Sequence, residues 1–137
     1  MRENLTKLSY ALPRAARLRG DRVFRYLWKW GRLYREGPLA LRAVFFPIAL
    51  SEPPIKAAFL VRRKVLRRAT ERNRVRRLLR EAHRYCRPVW EAQAGQTEAW
   101  LLWSWEASQV PALKDLPPLM QRLYDRAYQA WESSLFF

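Results

Sequence analysis

Between residues 17 and 30 the apolar positions Leu18, Val23, Phe24, Leu27 and Trp28 fall close to a 3.6-residue period, and Gly31 follows where helices commonly stop. This predicts a first helix over 17–30. Residues 39–50 and 55–61 are apolar and suited to strands, and Ser51-Glu52-Pro53-Pro54 between them reads as a turn. The two runs are expected to pair antiparallel, with Pro47 at an edge or bulge. From about Thr70 the helical period returns: Val75, Leu78, Leu79, Ala82 and Cys86 make one apolar stripe. Thr70 is the expected N-cap, Glu71 lies in the first turn, and Pro88 is expected to end the helix. Residues 98–106, EAWLLWSWE, are short and uninterrupted and read as a strand buried on both faces. After Pro117-Pro118, the positions Leu119, Met120, Leu123, Ala127 and Trp131 predict a last amphipathic helix.

Helix, strands, helix, strand, helix is the order of a single α+β domain: an α/β sandwich with a small, mostly antiparallel sheet packed against helices. The domain is expected over 16–131. A flexible segment is expected over 1–15 and a short apolar tail over 132–137.

Composition adds the charge. The 137 residues hold 27 Lys and Arg against 12 Asp and Glu, a net charge of +15, while half the chain is hydrophobic and can fill a core. Such an excess calls for a polyanionic partner, either nucleic acid or an anionic membrane surface. A lone cysteine, Cys86, excludes an internal disulfide framework, and a lone histidine, His83, excludes a His-rich metal cluster. The longest apolar runs, 43–51 and 99–105, are far short of a membrane span, and residues 1–18 lack the continuous apolar core of a signal peptide. The expectation is a soluble, cytoplasmic protein of a reducing compartment. Cys86 is expected as a buried thiol, His83 at the boundary of the core, and Trp100, Trp103 and Trp105 inside it.

The charge is localised. Residues 62–84 hold eleven Lys and Arg against two acids, whereas residues 89–137 hold three bases and six acids. Along the basic helix, Arg72, Asn73, Arg76, Arg77, Arg80 and Arg84 fall on one arc, roughly 60° to 200° from Val75, with Arg74 on the opposite flank. Guanidinium forks match phosphate oxygens and stay charged at any cellular pH. A typical charge run is only a solvated helix face. This one is almost unrelieved by acids, and its self-repulsion favours a polyanion as partner.

The segment from Arg72 to Arg84, RNRVRRLLREAHR, resembles the signature helix of the bacterial ribonuclease P protein component. That pattern is RNR, a branched apolar residue, two bases, two apolar residues, then R-E-A and a base. The resemblance extends upstream through Arg63, Lys64, Arg67, Arg68 and Ala69. It also reaches the first helix, where Arg17-Leu18, Phe24, Trp28 and Gly31 fit the family's spacing. The chain departs from the pattern in three places. Arg67 stands near a common glycine, Trp28 where phenylalanine is usual, and Arg42 near a position that is often aromatic.

The resemblance implies a fold with a left-handed βαβ crossover. It also implies the small subunit of a ribonucleoprotein enzyme that removes the 5′ leader of precursor tRNA, with the catalytic centre and its Mg2+ ions on the RNA subunit. Arg72, Asn73, Arg74, Arg76, Arg77, Arg80 and Arg84, with Arg67 and Arg68, would then face the RNA subunit. Phe24, Trp28, Arg63 and Lys64 would line a cleft for the single-stranded leader, although aromatics at helical spacing are by themselves more often core. The residues alone offer no carboxylate pair, His pair or Gly-rich loop able to hydrolyse a phosphodiester. No catalytic residue, protein-held metal or small-molecule substrate is expected. A structural RNA-binding protein of ribosomal type would share the charge but has no reason to repeat the RNR…REA pattern. A membrane-surface helix would carry bulky aromatics on its apolar side, where this one has Val, Leu, Ala and Cys.

Overall fold

The computed structural model describes residue 12 and residues 14–135. Most of the segment 1–15 and the last two residues of the tail lie outside the described residues. Strands β1 (Arg32–Glu36), β2 (Leu39–Phe46), β3 (Ile55–Val61) and β4 (Glu98–Trp105) form one sheet in the order β1-β2-β4-β3. Helices α1 (Asp21–Trp30), α2 (Ala69–Ala94) and α3 (Leu116–Ser134) pack on it. The α+β sandwich and the mostly antiparallel sheet are as expected: β1–β2 and β2–β4 are antiparallel, and β3–β4 is parallel.

The expected pairing of 39–50 with 55–61 does not occur. β4 lies between those two runs, parallel to β3 and antiparallel to β2. Its continuous apolar run suits a strand with neighbours on both edges and layers on both faces, and Trp103 is fully buried. β3, α2 and β4 therefore make the parallel βαβ unit that the resemblance implies.

Alternation along the strands divides the core in two. Leu39, Leu41, Ile55, Ala57, Leu101 and Trp103 face α2 and α3 and form the main core with Val75, Leu79, Trp90, Met120 and Tyr124. On the opposite face Val44 and Leu102 pack with Leu18 and Leu27, flanked by Phe24, Ala58 and Leu60, beneath α1.

Three helix boundaries differ from expectation. α1 starts at Asp21 rather than 17, because Arg17 and Leu18 run beside β3, with Leu18 N donating to Ala57 O at 2.9 Å, and Gly20 turns the chain at φ 95°. Thr70 is not the N-cap of α2; Arg68 holds that position without a side-chain cap. The lead-in is tied instead by the Arg72 guanidinium, which donates to Leu66 O at 2.8 Å and Arg67 O at 2.7 Å. Pro88 does not end α2, which continues to Ala94 before Gly95 turns at φ 61°. A proline inside a helix costs about 3 kcal/mol. Trp90 offsets it: this indole is fully buried, stacks on Tyr124 at 4.5 Å between centroids, and donates to Gln121 Oε1 at 3.2 Å. Truncating such a residue typically costs about 3–5 kcal/mol.

His83 lies deeper than a boundary residue. It is fully buried between Phe59, Trp90 and Trp103, and Trp103 Nε1 donates to its Nδ1 at 3.1 Å. Cys86 is a buried thiol as expected, pushed up to about 11 by desolvation. No helix among the described residues is long and apolar enough to cross a membrane.

Candidate nucleic-acid interface

The basic helix begins in the short connection that follows β3. Arg63, Lys64, Arg67 and Arg68 are all exposed along that connection. On α2 itself Asn73, Arg74 and Arg77 are exposed, whereas Arg72, Arg76, Arg80 and Arg84 are half-buried. Arg76 donates to Asn73 Oδ1, and the Arg80 guanidinium lies 5.7 Å from the centroid of the Phe59 ring. Partial burial, then the nearby charges of Arg17 and Arg76, lower the Arg80 pKa. The arc is therefore graded. Asn73, Arg74 and Arg77 stand outermost, and the arginines nearer the sheet lie partly over it. Arg74, off the arc in the helical projection, is among the most open of the set.

A second cluster occupies the α1 face of the sheet. One row across the strands runs Leu33, Arg42, Leu102, Ala58, and the next runs Arg35, Ala40, Ser104, Leu60. The fully buried Leu27 of α1, with Leu18 from the segment before the helix, covers the Leu102 and Val44 end of this face and leaves the other end open. The groove so formed is lined by Trp28, Leu33, Arg35, Arg42, Leu60 and Arg62, with Ser104 and Glu106.

Arg42 is its central cation. The guanidinium carbon lies 4.4 Å from the Trp28 ring centroid, and Nη1 donates to Gly31 O at 3.3 Å. Desolvation, then repulsion from Arg35 and Arg62, lowers the Arg42 pKa. β1, β2 and the residue just after β3 thus bring three like charges together, against which Glu106 approaches Arg35 at 3.9 Å. Like charges within reach of one another cost free energy unless an anion joins them. The ligand this geometry suits is an anionic chain with flat groups, which can use guanidinium forks and an exposed indole together.

Of the four residues expected at a leader cleft, Trp28 lines this groove and is 47% exposed. Phe24 is half-buried and packs against the small core under α1. Arg63 and Lys64 stand on the turn just beyond Arg62 and are not among the lining residues. Nothing in the local sequence pattern marks Arg35 or Arg62 as groove residues. One signal was there for Arg42: a charge inside the apolar run LALRAVFF.

Among the described residues no three His, Cys, Asp or Glu side chains come together as a metal site.

The ribonuclease P family model matches residues 12–99, which includes β1 to β3, α1, α2 and the start of β4. The chain belongs to the ribonuclease P protein family. Curated relatives carry the name ribonuclease P protein component. One from Synechococcus sp. is 40% identical over 78 residues, 52% of this chain and 61% of that protein. Two from Prochlorococcus marinus are 34% identical over 99 residues and 30% over 127; the latter match covers 87% of this chain and 95% of the relative. The ribonuclease P protein of Staphylococcus aureus has the same fold, with a TM-score of 0.61 at 13% identity over 83% of this chain and 96% of that one.

Proposed function

We propose that this protein is the RNA-binding subunit of a bacterial-type ribonuclease P, an accessory to a catalytic RNA that removes the 5′ leader of precursor tRNA. The observation that carries this reading is the pairing of two basic surfaces within one family fold. One is the open RNR face of α2; the other is the groove where Arg35, Arg42 and Arg62 converge beside Trp28.

In this reading the α2 face, with Arg67 and Arg68 on its lead-in, binds the RNA subunit through phosphates. Arg74, Arg77 and Asn73 make the outermost contacts, and Arg76, Arg80 and Arg84 support them from beside the sheet. The groove takes the single-stranded leader. Its bases stack against Trp28, and its phosphates neutralise the guanidinium cluster. Arg63 and Lys64 extend the positive path between the two surfaces, and Phe24 holds α1 at the spacing the leader needs. Hydrolysis belongs to the RNA subunit and the Mg2+ ions it binds when assembled; the protein positions substrate and screens phosphate repulsion. The partners are the RNA subunit and precursor tRNA, in the cytoplasm.

The test compares precursor tRNA with mature tRNA, binding each to the RNA subunit with and without the protein. The protein should tighten binding of the precursor selectively. Equal tightening of both would favour a purely structural RNA-binding role.

A further inference from the structure

α1 contacts the sheet through the fully buried Leu27 and presents a different flank on each side of that contact. Phe24 and Trp28 lie on one flank, toward the groove that Arg42 occupies. Tyr26 and Trp30 lie on the other, and there the fold forms a second groove whose lining includes Tyr26, Trp30, Arg32, Tyr34, Phe45 and Trp131. Its rings are arranged as a platform: Phe45 and Trp131 stack at 5.5 Å between centroids, and Tyr26 and Trp30 lie 6.5 Å apart. Trp30 is 61% exposed and Tyr26 39%, so two of the rings stand open to solvent beside the others. Packing accounts for Phe45, which is held against the core by Tyr124 and Tyr128. It does not account for Trp30.

Charge indicates what the platform suits. Arg32 carries the only charge among the described lining residues, and no carboxylate is among them. The Lys29 ammonium lies 5.3 Å from the Trp30 centroid, and Arg22 and Arg25 are exposed on the outer side of α1. Aromatic faces bordered by cations, with no acid in the lining, match unpaired nucleic acid, whose bases stack while its phosphates are neutralised.

The sheet order indicates which strand arrives there. β3, beside which α2 packs, is one edge of the sheet, and β1 is the other. The Trp28 groove lies between them, on the same side of the sheet as α1. A leader that leaves the α2 side and crosses that groove comes next to the β1 edge and the C-terminal end of α1. A helix is about 10 Å across, a short step for an extended strand to make around its end.

We propose that the Tyr26–Trp30 groove is a second stacking site for the precursor-tRNA leader, taking nucleotides upstream of those in the Trp28 groove. This rests on the reading of the Trp28 groove as the leader cleft, and the test keeps the two apart. The assembled holoenzyme is titrated with precursor tRNAs bearing a leader of about four or about twelve nucleotides, within the range of single-strand site sizes. Trp30→Ala should weaken the long-leader substrate roughly fivefold to tenfold, the lower part of the stacking range, and leave the short-leader substrate unchanged. Trp30→Phe, which keeps a ring, should restore most of the loss, and Arg32→Gln should weaken the same substrate alone. Trp28→Ala should weaken both substrates. An equal loss on both leaders with Trp30→Ala would mean that the groove meets the RNA subunit and would overturn the proposal, as would no loss on either. Should Trp28→Ala be silent while Trp30→Ala remains dependent on leader length, the cleft assignment falls and the second site stands.

Discussion

The guanidinium of Arg42 lies 4.4 Å from the centroid of the Trp28 ring and is also hydrogen-bonded to Gly31 O, so a β2 side chain clasps the C-terminal turn of α1. This contact sets the wall of the proposed leader cleft. It also leaves the Arg42 charge close to those of Arg35 and Arg62. Trp28→Ala and Arg42→Ala should each lower affinity for precursor tRNA, the indole by about 1–3 kcal/mol for the base it stacks. The double mutant should lose less than the sum, with a coupling of roughly 0.5–1 kcal/mol. Affinity titrations of the four variants in the holoenzyme measure it; strict additivity would mean that the two residues act separately.

Gly31 is the other half of the clasp. A Cβ there would lie 2.4 Å from Leu27 O and 2.9 Å from Arg42 Cγ, too close on both sides. Gly31→Ala should therefore destabilise the fold by about 1–3 kcal/mol, the range for forcing extra volume into a packed site. A urea midpoint equal to that of the unsubstituted protein would contradict the clasp.

The arginines of α2 should separate into two kinds. Arg74 and Arg77 are exposed, so Arg74→Ala with Arg77→Ala should leave stability unchanged and weaken RNA binding. Contact with about six phosphates gives a log K against log salt slope near −4 to −5, and the double variant should flatten it by roughly 1.5. Arg72 instead ties Leu66 and Arg67 to the helix start. Its replacement by alanine should cost about 1–3 kcal/mol of stability through two charge-assisted bonds. Parallel urea and salt titrations would expose a wrong division if Arg72→Ala proved silent in stability.

His83 supplies a pH signature. Burial, and then the nearby Arg87 charge, push its pKa down to about 3 from an ordinary 6.5. The unfolded chain therefore takes up a proton that the folded protein refuses. Stability from this group is complete above pH 6.5 and declines as pH falls toward 3, by up to about 1.4 kcal/mol per pH unit. As the only histidine, its ring proton resonance can be followed alone. The resonance should stay fixed from pH 8 to pH 4.5; a midpoint near 6.5 would mean that the ring is solvated.

The sandwich could be read from the chain because local periodicity carried it. The apolar stripe from Val75 to Cys86 and the uninterrupted run of β4 each announce an environment. Pairing was not legible, since 39–46 and 55–61 are equally apolar and only the whole fold inserts β4 between them. β1 carries no apolar signal, because Arg-Leu-Tyr-Arg-Glu is a charged edge strand with Leu33 itself 43% exposed. At Pro88 the buried Trp90 outweighs the lost bond, a tertiary effect that local proline preference does not contain. The RNR helix was visible as a run along one element. The Arg35–Arg42–Arg62 cluster was not, because its members come from β1, β2 and the end of β3 and meet only across the sheet.

The central claim is that the protein serves a catalytic RNA, and reconstitution tests it most directly. Purified protein is mixed with a bacterial-type ribonuclease P RNA and precursor tRNA at low Mg2+, where the RNA alone is expected to be slow. Cleavage at the mature 5′ end should then depend on the protein and be lost with the Arg74→Ala, Arg77→Ala variant. Tight binding to the RNA with no gain in cleavage would contradict the account.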